Sequence, residues 1–516
     1  MNCIFGQFGG HCRPHFHTFH STRSSMGSRS FIAPVLFLFV IGCASSERFT
    51  KYPDPIDLLR SDLNRILADS LFGATVASIK VYSPELNEVL YERQSNRLLR
   101  PASNLKVLTS IAAITRLAPE FEFATTVHTD TIDENTRSVG VLYLRGGGNS
   151  ELKTAGLDTL ARRVAARGIR VIRGGIVADN SHFDTTWFGK GWMWDDEPYS
   201  FGAPLSALSL NKNCVRVTVS STGKAGSAPG VSIEPPTSYV SLVNNARIVS
   251  DTVLQPLKIA RRYEERQNTI VIEGELLAGQ RPRSELVSVW RPELYAATVF
   301  KELLEKAQVR VEGDIRSGKT PPAAPRLATH TIPLDSVLLS VNKMSDNLSA
   351  ESLLRTLAVV ADSAHSSVSR GTVEVNRALS SYGIDTTSFL QVDGSGVSHY
   401  NLISPETMVD LLTRVADQPD VFPAFYATLP IAGVDGTLST RMLGTPAERN
   451  VRAKTGTLSG ISTLSGYVTT QDRERLVFSI FMQNFIGSSR PYRDAQDAIC
   501  ARLAEFTRSR VDVQTP

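Results

Sequence analysis

Five serines in this sequence stand three residues before a lysine: Ser103, Ser150, Ser209, Ser221 and Ser340. On a helix, residues three apart share a face, so the amine of such a pair can sit beside the hydroxyl and take its proton, making an oxygen nucleophile. The spacing alone recurs by chance in a serine-rich chain, so context has to choose. Ser103 opens the strongly helical run NLKVLTSIAAITRLA directly after a predicted hairpin. That puts its hydroxyl at a helix N-terminus, where backbone N–H groups and the dipole favour negative charge. The others lie in β-rich or loop-like surroundings, apart from Ser340, which is inside a predicted helix. Two more short stretches could complete such a site: Ser345-Asp346-Asn347, just ahead of NLSAESLLRTLA, and Lys454-Thr455-Gly456-Thr457, on a predicted strand. Each has a simpler reading by itself, helix capping for Ser103 and for Ser345-Asp346 and a chance strand segment for Lys454-Thr455-Gly456.

Other chemistries find little support. The chain has no HExxH, GxGxxG or P-loop, and Ser395 in Asp393-Gly394-Ser395-Gly396 has the wrong spacing for a nucleophile elbow. Beyond residue 43 the histidines (His128, His182, His330, His365, His399) are scattered, with no ligand spacing among them. Neither a metal nor a cofactor is implied.

The elements that must position these residues follow from the hydrophobic pattern. Between Thr50 and Leu71, Ile56, Leu59, Leu63, Ile66 and Leu67 recur at helical spacing. ATVASIKVY and NEVLYERQ alternate around Ser83-Pro84-Glu85-Leu86-Asn87 and predict a hairpin. From about 120 to 289 short β-rich runs are broken by Gly, Pro, Asn and Asp, and a mostly β insert, of one or two small domains, is expected. Helical pattern returns at RPELYAATVFKELLEKA and runs through PETMVDLLTRVADQ. RAKTGTLS, STLSGYVTT and LVFSIFMQNF then read as three strands, and PYRDAQDAICARLAEFTRS as a closing helix. A lone hairpin is marginal, so its partners should be the three C-terminal strands, giving one sheet built from both chain ends. The expected organisation is a signal segment at 1–43, a first catalytic part at 44–119, the insert at 120–289 and a second catalytic part at 290–516.

At 516 residues with 42% hydrophobic and 21% charged side chains, the composition is that of a large globular protein and excludes a disulfide-knotted scaffold or a disordered chain. The net charge is +4, but residues 1–43 hold Arg13, Arg23 and Arg29 and no acid. The near-neutral remainder argues against a nucleic-acid partner. Cys214 and Cys500 are read as core residues. The apolar stretch Phe31 to Gly42 is too short to span a bilayer and reads as a secretory signal, with Met26 a plausible start. Val40-Ile41-Gly42-Cys43 is similar to a bacterial lipobox, which makes Cys43 a candidate lipidation site and the cell envelope the expected location. An ordinary signal peptide is the alternative.

In the order Ser-x-x-Lys, Ser-x-Asn, Lys-Thr-Gly, the three stretches are far more informative together than apart. From about residue 50 to 510 the chain resembles the D-alanyl-D-alanine carboxypeptidase/endopeptidase family of low-molecular-mass penicillin-binding proteins that carry an inserted domain between the first two active-site motifs. The marks are PASNLK around Ser103, LYLRGGGNSEL at 142–152, LSLNKN at 208–213, MSDNLSAE at 344–351, DGSGVSHYNLISP at 393–405, GVDGTL at 433–438 and AKTGTLSG at 453–460. One departure is His399, where family members often carry Arg.

The resemblance implies an α/β fold of the penicillin-binding-protein/serine β-lactamase-like kind, an antiparallel sheet flanked by helices, with a large mostly β insert. It also implies peptidoglycan stem peptides as substrate, cross-link cleavage as a possible further activity, and β-lactams as covalent ligands. Ser103 would be the nucleophile and Lys106 its base, the amine made neutral by burial and by the nearby cation Lys454. Ser345 would relay a proton and Asn347 hold the substrate amide. Lys454 and Thr455 would bind the terminal carboxylate, with Gly456 and Thr457 completing the substrate-binding strand and the backbone N–H groups of Ser103 and Thr457 forming an oxyanion hole. The alternatives are a β-lactamase or esterase, and a lipid-anchored wall-binding or scaffold protein with a decayed site.

Overall fold

The computed structural model describes residues 54–362 and 366–509. The signal segment, Met26, Cys43 and His365 lie outside these residues. The first helix, Pro55–Ile66, starts where Asp54 accepts a hydrogen bond from the Ile56 N–H and Pro55 supplies a pre-set φ. It buries Leu59 and Leu63. The hairpin follows as β1 (Val76–Ser83) and β2 (Glu88–Arg93). At the other end of the chain come β3 (Arg452–Leu458), β4 (Ile461–Thr469) and β5 (Arg475–Gln483). The five form one sheet in the order β2-β1-β5-β4-β3, every pair antiparallel. The expected union of the two chain ends is therefore the β1–β5 pairing, from Val76 opposite Gln483 to Tyr82 opposite Val477.

Side-chain alternation along β5 builds two cores from one strand. Phe478, Ile480 and Met482 face a cluster with Leu59, Leu63, Ile499 and Leu503, which brings in the first helix and the closing helix Arg490–Ala504. Val477 and Phe481 face the opposite cluster with Leu108, Leu338, Leu354, Met408 and Leu412. Those residues come from the helices Lys106–Arg116, Leu334–Lys343, Asn347–Ala361 and Pro405–Ala416. β3, which carries Lys454, is an edge strand of this sheet, with its Ala453 N–H donating outward to the Pro430 carbonyl (3.1 Å).

The insert is larger and less purely β than its composition suggests. Its main sheet runs in the order Ile315–Ser317, Ile176–Asp179, Leu142–Gly146, Glu122–Thr129, Arg326–Pro333. Two helices, Thr154–Ala166 and Pro292–Lys306, share its core through Leu157, Leu160, Tyr295 and Phe300. RPELYAATVFKELLEKA, read from its helical pattern as the start of the second catalytic part at 290, thus packs inside the insert's core. The periodicity specifies an amphipathic helix but not which apolar surface it meets. The chain leaves and re-enters the catalytic part side by side, since Glu122 pairs with Pro333. A smaller three-stranded sheet, Gly230–Glu234, Cys214–Ser220 and Arg283–Ser288, follows the loop that carries LSLNKN. Cys214 and Cys500 are both buried and unpaired, as core residues would be.

Candidate active site

Ser103 lies in a short 3-10 turn, Ala102–Leu105, that runs straight into the helix Lys106–Arg116. The turn is held from outside. Asn104, fully buried, donates from Nδ2 to the Lys454 carbonyl (3.1 Å) and to Thr463 Oγ1 (2.7 Å), and Thr463 Oγ1 donates to the Pro101 carbonyl (2.8 Å). This fastens the turn to β3 and β4. A β-carbon on Gly456 would lie 3.0 Å from the Ser103 nitrogen and 2.8 Å from the Pro101 oxygen, so the middle of the Lys-Thr-Gly strand needs a residue without one. Gly396 is a second such contact: its φ is +85°, and a β-carbon there would meet the Ala102 carbonyl at 1.9 Å.

Lys106 is completely buried, and its ammonium has three acceptors: Ser103 Oγ at 2.8 Å, Asn347 Oδ1 at 2.6 Å and the Ser395 carbonyl at 2.6 Å. Lys454, equally buried, donates to Ser345 Oγ (2.8 Å) and to the Thr455 carbonyl (2.8 Å). Ser345 adopts the left-handed φ of 60°, and Asp346 caps the helix Asn347–Ala361 by accepting from the Ser349 N–H. Ser345 and Asn347 therefore reach the two lysines from either side of one capping residue. Thr455 Oγ1 donates to Thr437 Oγ1 (2.8 Å), within GVDGTL. Thr455, Gly456, Thr457 and Thr437 line a cavity of about 260 Å3 with Arg441 and Arg493. All eight described residues expected from the sequence thus fall on one strand edge, one helix start and one capping loop; Cys43 alone lies outside the described residues.

Burial drives the Lys106 amine down to about 8, against the pull of Asp393, Asp346 and Glu351, which favour its charged form. The expected lowering of Lys106 by Lys454 takes a different form. Burial also lowers Lys454 well below an ordinary lysine, and the repulsion between the two ammonium groups adds to the lowering on Lys454. Asn347 also departs from expectation, because its Nδ2 is not free for substrate: it donates to the Phe201 carbonyl of the insert at 2.8 Å.

Several supporting residues carried no assigned role in the sequence. Glu351 Oε1 accepts from the N–H groups of Gly394 and Ser395 and from Ser395 Oγ, which aims the Ser395 carbonyl at Lys106. Asp393 accepts from the N–H groups of Gly396 and Ser398, from Asn401 and from the Trp192 indole of the insert. Both stretches, MSDNLSAE and DGSGVSHYNLISP, are marks of the family resemblance. A role exercised through a backbone carbonyl leaves no residue type to recognise, so only buried Glu and Asp beside Gly-rich turns could have pointed to them.

A family model described as the D-Ala-D-Ala carboxypeptidase 3 (S13) family matches residues 59–506. A D-alanyl-D-alanine carboxypeptidase of an Actinomadura species is 36% identical over 478 residues, covering 90% of this chain and 86% of that protein. Among solved structures, penicillin binding protein 4 of Haemophilus influenzae superposes with a TM-score of 0.76 at 26% identity, covering 86% of this chain and 99% of that one. The same Haemophilus protein complexed with a novel β-lactam gives a TM-score of 0.71 at 24% identity, again over 86% and 99% of the two chains.

The Lys106 amine should titrate at about 8, cationic below and neutral above. NMR of the protein with labelled lysine, assigned by comparison with Lys106→Met, checks this. A midpoint at the ordinary lysine value of about 10.4 would contradict the burial argument.

Proposed function

We propose that this chain, which belongs to the D-Ala-D-Ala carboxypeptidase 3 (S13) family and is a serine-type D-alanyl-D-alanine carboxypeptidase acting on peptidoglycan, works through an acyl-enzyme on Ser103. The observation that carries the reading is the 2.8 Å bond between Lys106 Nζ and Ser103 Oγ, made by an amine whose burial brings its neutral form within reach. With three acceptors around it, the amine rests as an ammonium. At a pKa of about 8, roughly a tenth of it is neutral at pH 7. That fraction takes the Ser103 proton as Oγ adds to the carbonyl carbon of the penultimate D-alanine.

The negative charge that develops on the carbonyl oxygen falls to the N–H groups of Ser103 and Thr457, each donor worth about 3 kcal/mol in sites of this kind. The tetrahedral carbon then expels the D-alanine nitrogen, which needs a proton as the C–N bond breaks. Ser345 Oγ relays to it the proton that Lys106 took from Ser103, which returns Lys106 to its neutral form, and the Lys454 ammonium bonded to Ser345 stabilises the oxygen meanwhile. Lys454 and Thr455 hold the terminal carboxylate, while the Thr457 side chain is exposed at the strand edge. Asn347 Oδ1 fixes Lys106, and the substrate amide lies alongside. Water, activated by the same lysine, hydrolyses the ester and restores Ser103.

A β-lactam presents a strained amide in place of the D-Ala-D-Ala bond and acylates the same oxygen. The protein is further proposed to be exported and lipid-anchored at Cys43, a reading supported by Val40-Ile41-Gly42-Cys43 behind the apolar stretch. Among the described residues no helix is long and apolar enough to cross a membrane.

Intact-mass analysis after incubation with benzylpenicillin should give one covalent adduct on the wild type and none on Ser103→Ala. Failure of the wild type to gain mass would overturn the assignment. Steady-state D-alanine release from a pentapeptide should rise with pH through about 8, following loss of the Lys106 proton. A rate that falls over that range would remove Lys106 as the base. Processing of the exported chain should be blocked by globomycin; unaltered maturation in its presence would exclude the lipid anchor.

A further inference from the structure

One lysine of the insert reaches the loop that carries Ser345 and Asn347. Lys212 lies at the centre of LSLNKN, where Asn211, Lys212 and Asn213 take consecutive left-handed φ values of 48°, 59° and 56°. Three residues with β-carbons rarely adopt that conformation in succession, and here each flanking side chain enforces it. Asn211 accepts from the Thr154 N–H (3.1 Å) and donates to Thr154 Oγ1 (2.8 Å), while Asn213 Nδ2 donates to the Pro204 carbonyl (2.9 Å). The turn projects the Lys212 ammonium into a cluster of acceptors. These are Glu151, Ser340 Oγ (3.0 Å), Asp346 Oδ1 (2.9 Å) and Ser349 Oγ (2.8 Å). The cluster is closed by Ser349 Oγ, which donates to Glu151 Oε1 (2.9 Å) and meets Ser150 Oγ (2.9 Å).

Asp346 is the member that matters for the reaction. Its Oδ1 accepts from both Lys212 and the Ser349 N–H, its N–H donates to the Ser340 carbonyl (3.0 Å), and its two chain neighbours are the residues bonded to Lys454 and Lys106. Asp346 is partly buried, and no lysine or arginine other than Lys212 forms an ion pair with it among the described residues. We propose that Lys212 is a positioning residue for the reaction. By holding Asp346 it sets the left-handed turn at Ser345 and the start of the helix at Asn347, so that the insert completes the geometry of the catalytic loop without touching the reacting atoms. The inference rests on the reading of Ser103 as nucleophile and gives the insert a part in it.

The test compares wild type, Lys212→Met, Lys212→Arg and Glu151→Gln in D-alanine release, with thermal melting to establish folding. Lys212→Met keeps the length and loses the charge. Its kcat should fall about ten- to a hundredfold, the scale of a misplaced catalytic group, while KM changes little because Lys454 and Thr455 are untouched. Lys212→Arg, which keeps the cation, should recover most of the rate, and Glu151→Gln should fall between. A folded Lys212→Met with wild-type kcat, a loss confined to KM, or no recovery in a folded Lys212→Arg would each overturn the inference. Should Lys212→Met not fold, wild-type kcat in Glu151→Gln overturns it. These results beside an active wild type leave the acyl-enzyme reading intact, whereas a wild type that releases no D-alanine overturns both.

Discussion

An amine sealed from water must be held by something, and in this protein nearly everything around the site is what holds Lys106. Burying an ammonium costs several kcal/mol even after relaxation. Here the cost is offset by three acceptors at 2.6–2.8 Å and by three carboxylates at longer range, Asp393, Asp346 and Glu351. The remaining imbalance leaves the amine near 8. Fewer acceptors would leave it permanently neutral and poorly fixed, and a direct carboxylate partner would keep it charged. Neutral acceptors in contact, with the acids farther off, suit the proposed base, which has both to hold and to give up a proton.

The same constraint explains the company these residues keep. The Ser395 carbonyl is useful only if its turn is rigid, and that turn hangs on Glu351, itself buried and braced by Arg355 at 3.1 Å. Burial raises the Glu351 carboxyl, and the neighbouring Asp393 raises it further. Asp393 in turn ties down its own loop and receives the Trp192 indole. Three residues of the insert thus touch the catalytic part at consequential points: Trp192 at Asp393, Phe201 at Asn347 and Lys212 at Asp346. The insert is a wall of the site as well as a separate layer of sheet and helix.

Much of this was legible in the sequence because it depends on residue type and period. The hairpin and the three C-terminal strands alternate clearly, and their need for partners implied the joint sheet. Ser103, Lys106, Ser345, Asn347 and Lys454 could be named because the three short stretches, taken in their order along the chain, carry a family resemblance, although each alone has a simpler reading as a helix cap or a strand segment. What stayed hidden depends on geometry that side-chain identity does not encode. The helix at 292–306 looks like any amphipathic helix, and only the packed structure reveals that Tyr295 and Phe300 belong to the insert's core. LSLNKN marked a resemblance, but nothing in it announced three left-handed residues aiming a lysine at Asp346. The occupation of Asn347 Nδ2 by Phe201 was equally out of reach, since the partner is a backbone carbonyl nearly 150 residues away.

A crystal structure of the benzylpenicillin adduct tests the account most directly. An ester to Ser103 Oγ is expected, with its carbonyl oxygen between the N–H groups of Ser103 and Thr457 and Lys106 still bonded to Asn347 and the Ser395 carbonyl. An adduct on any other residue, or an acyl oxygen turned away from those two N–H groups, would contradict it.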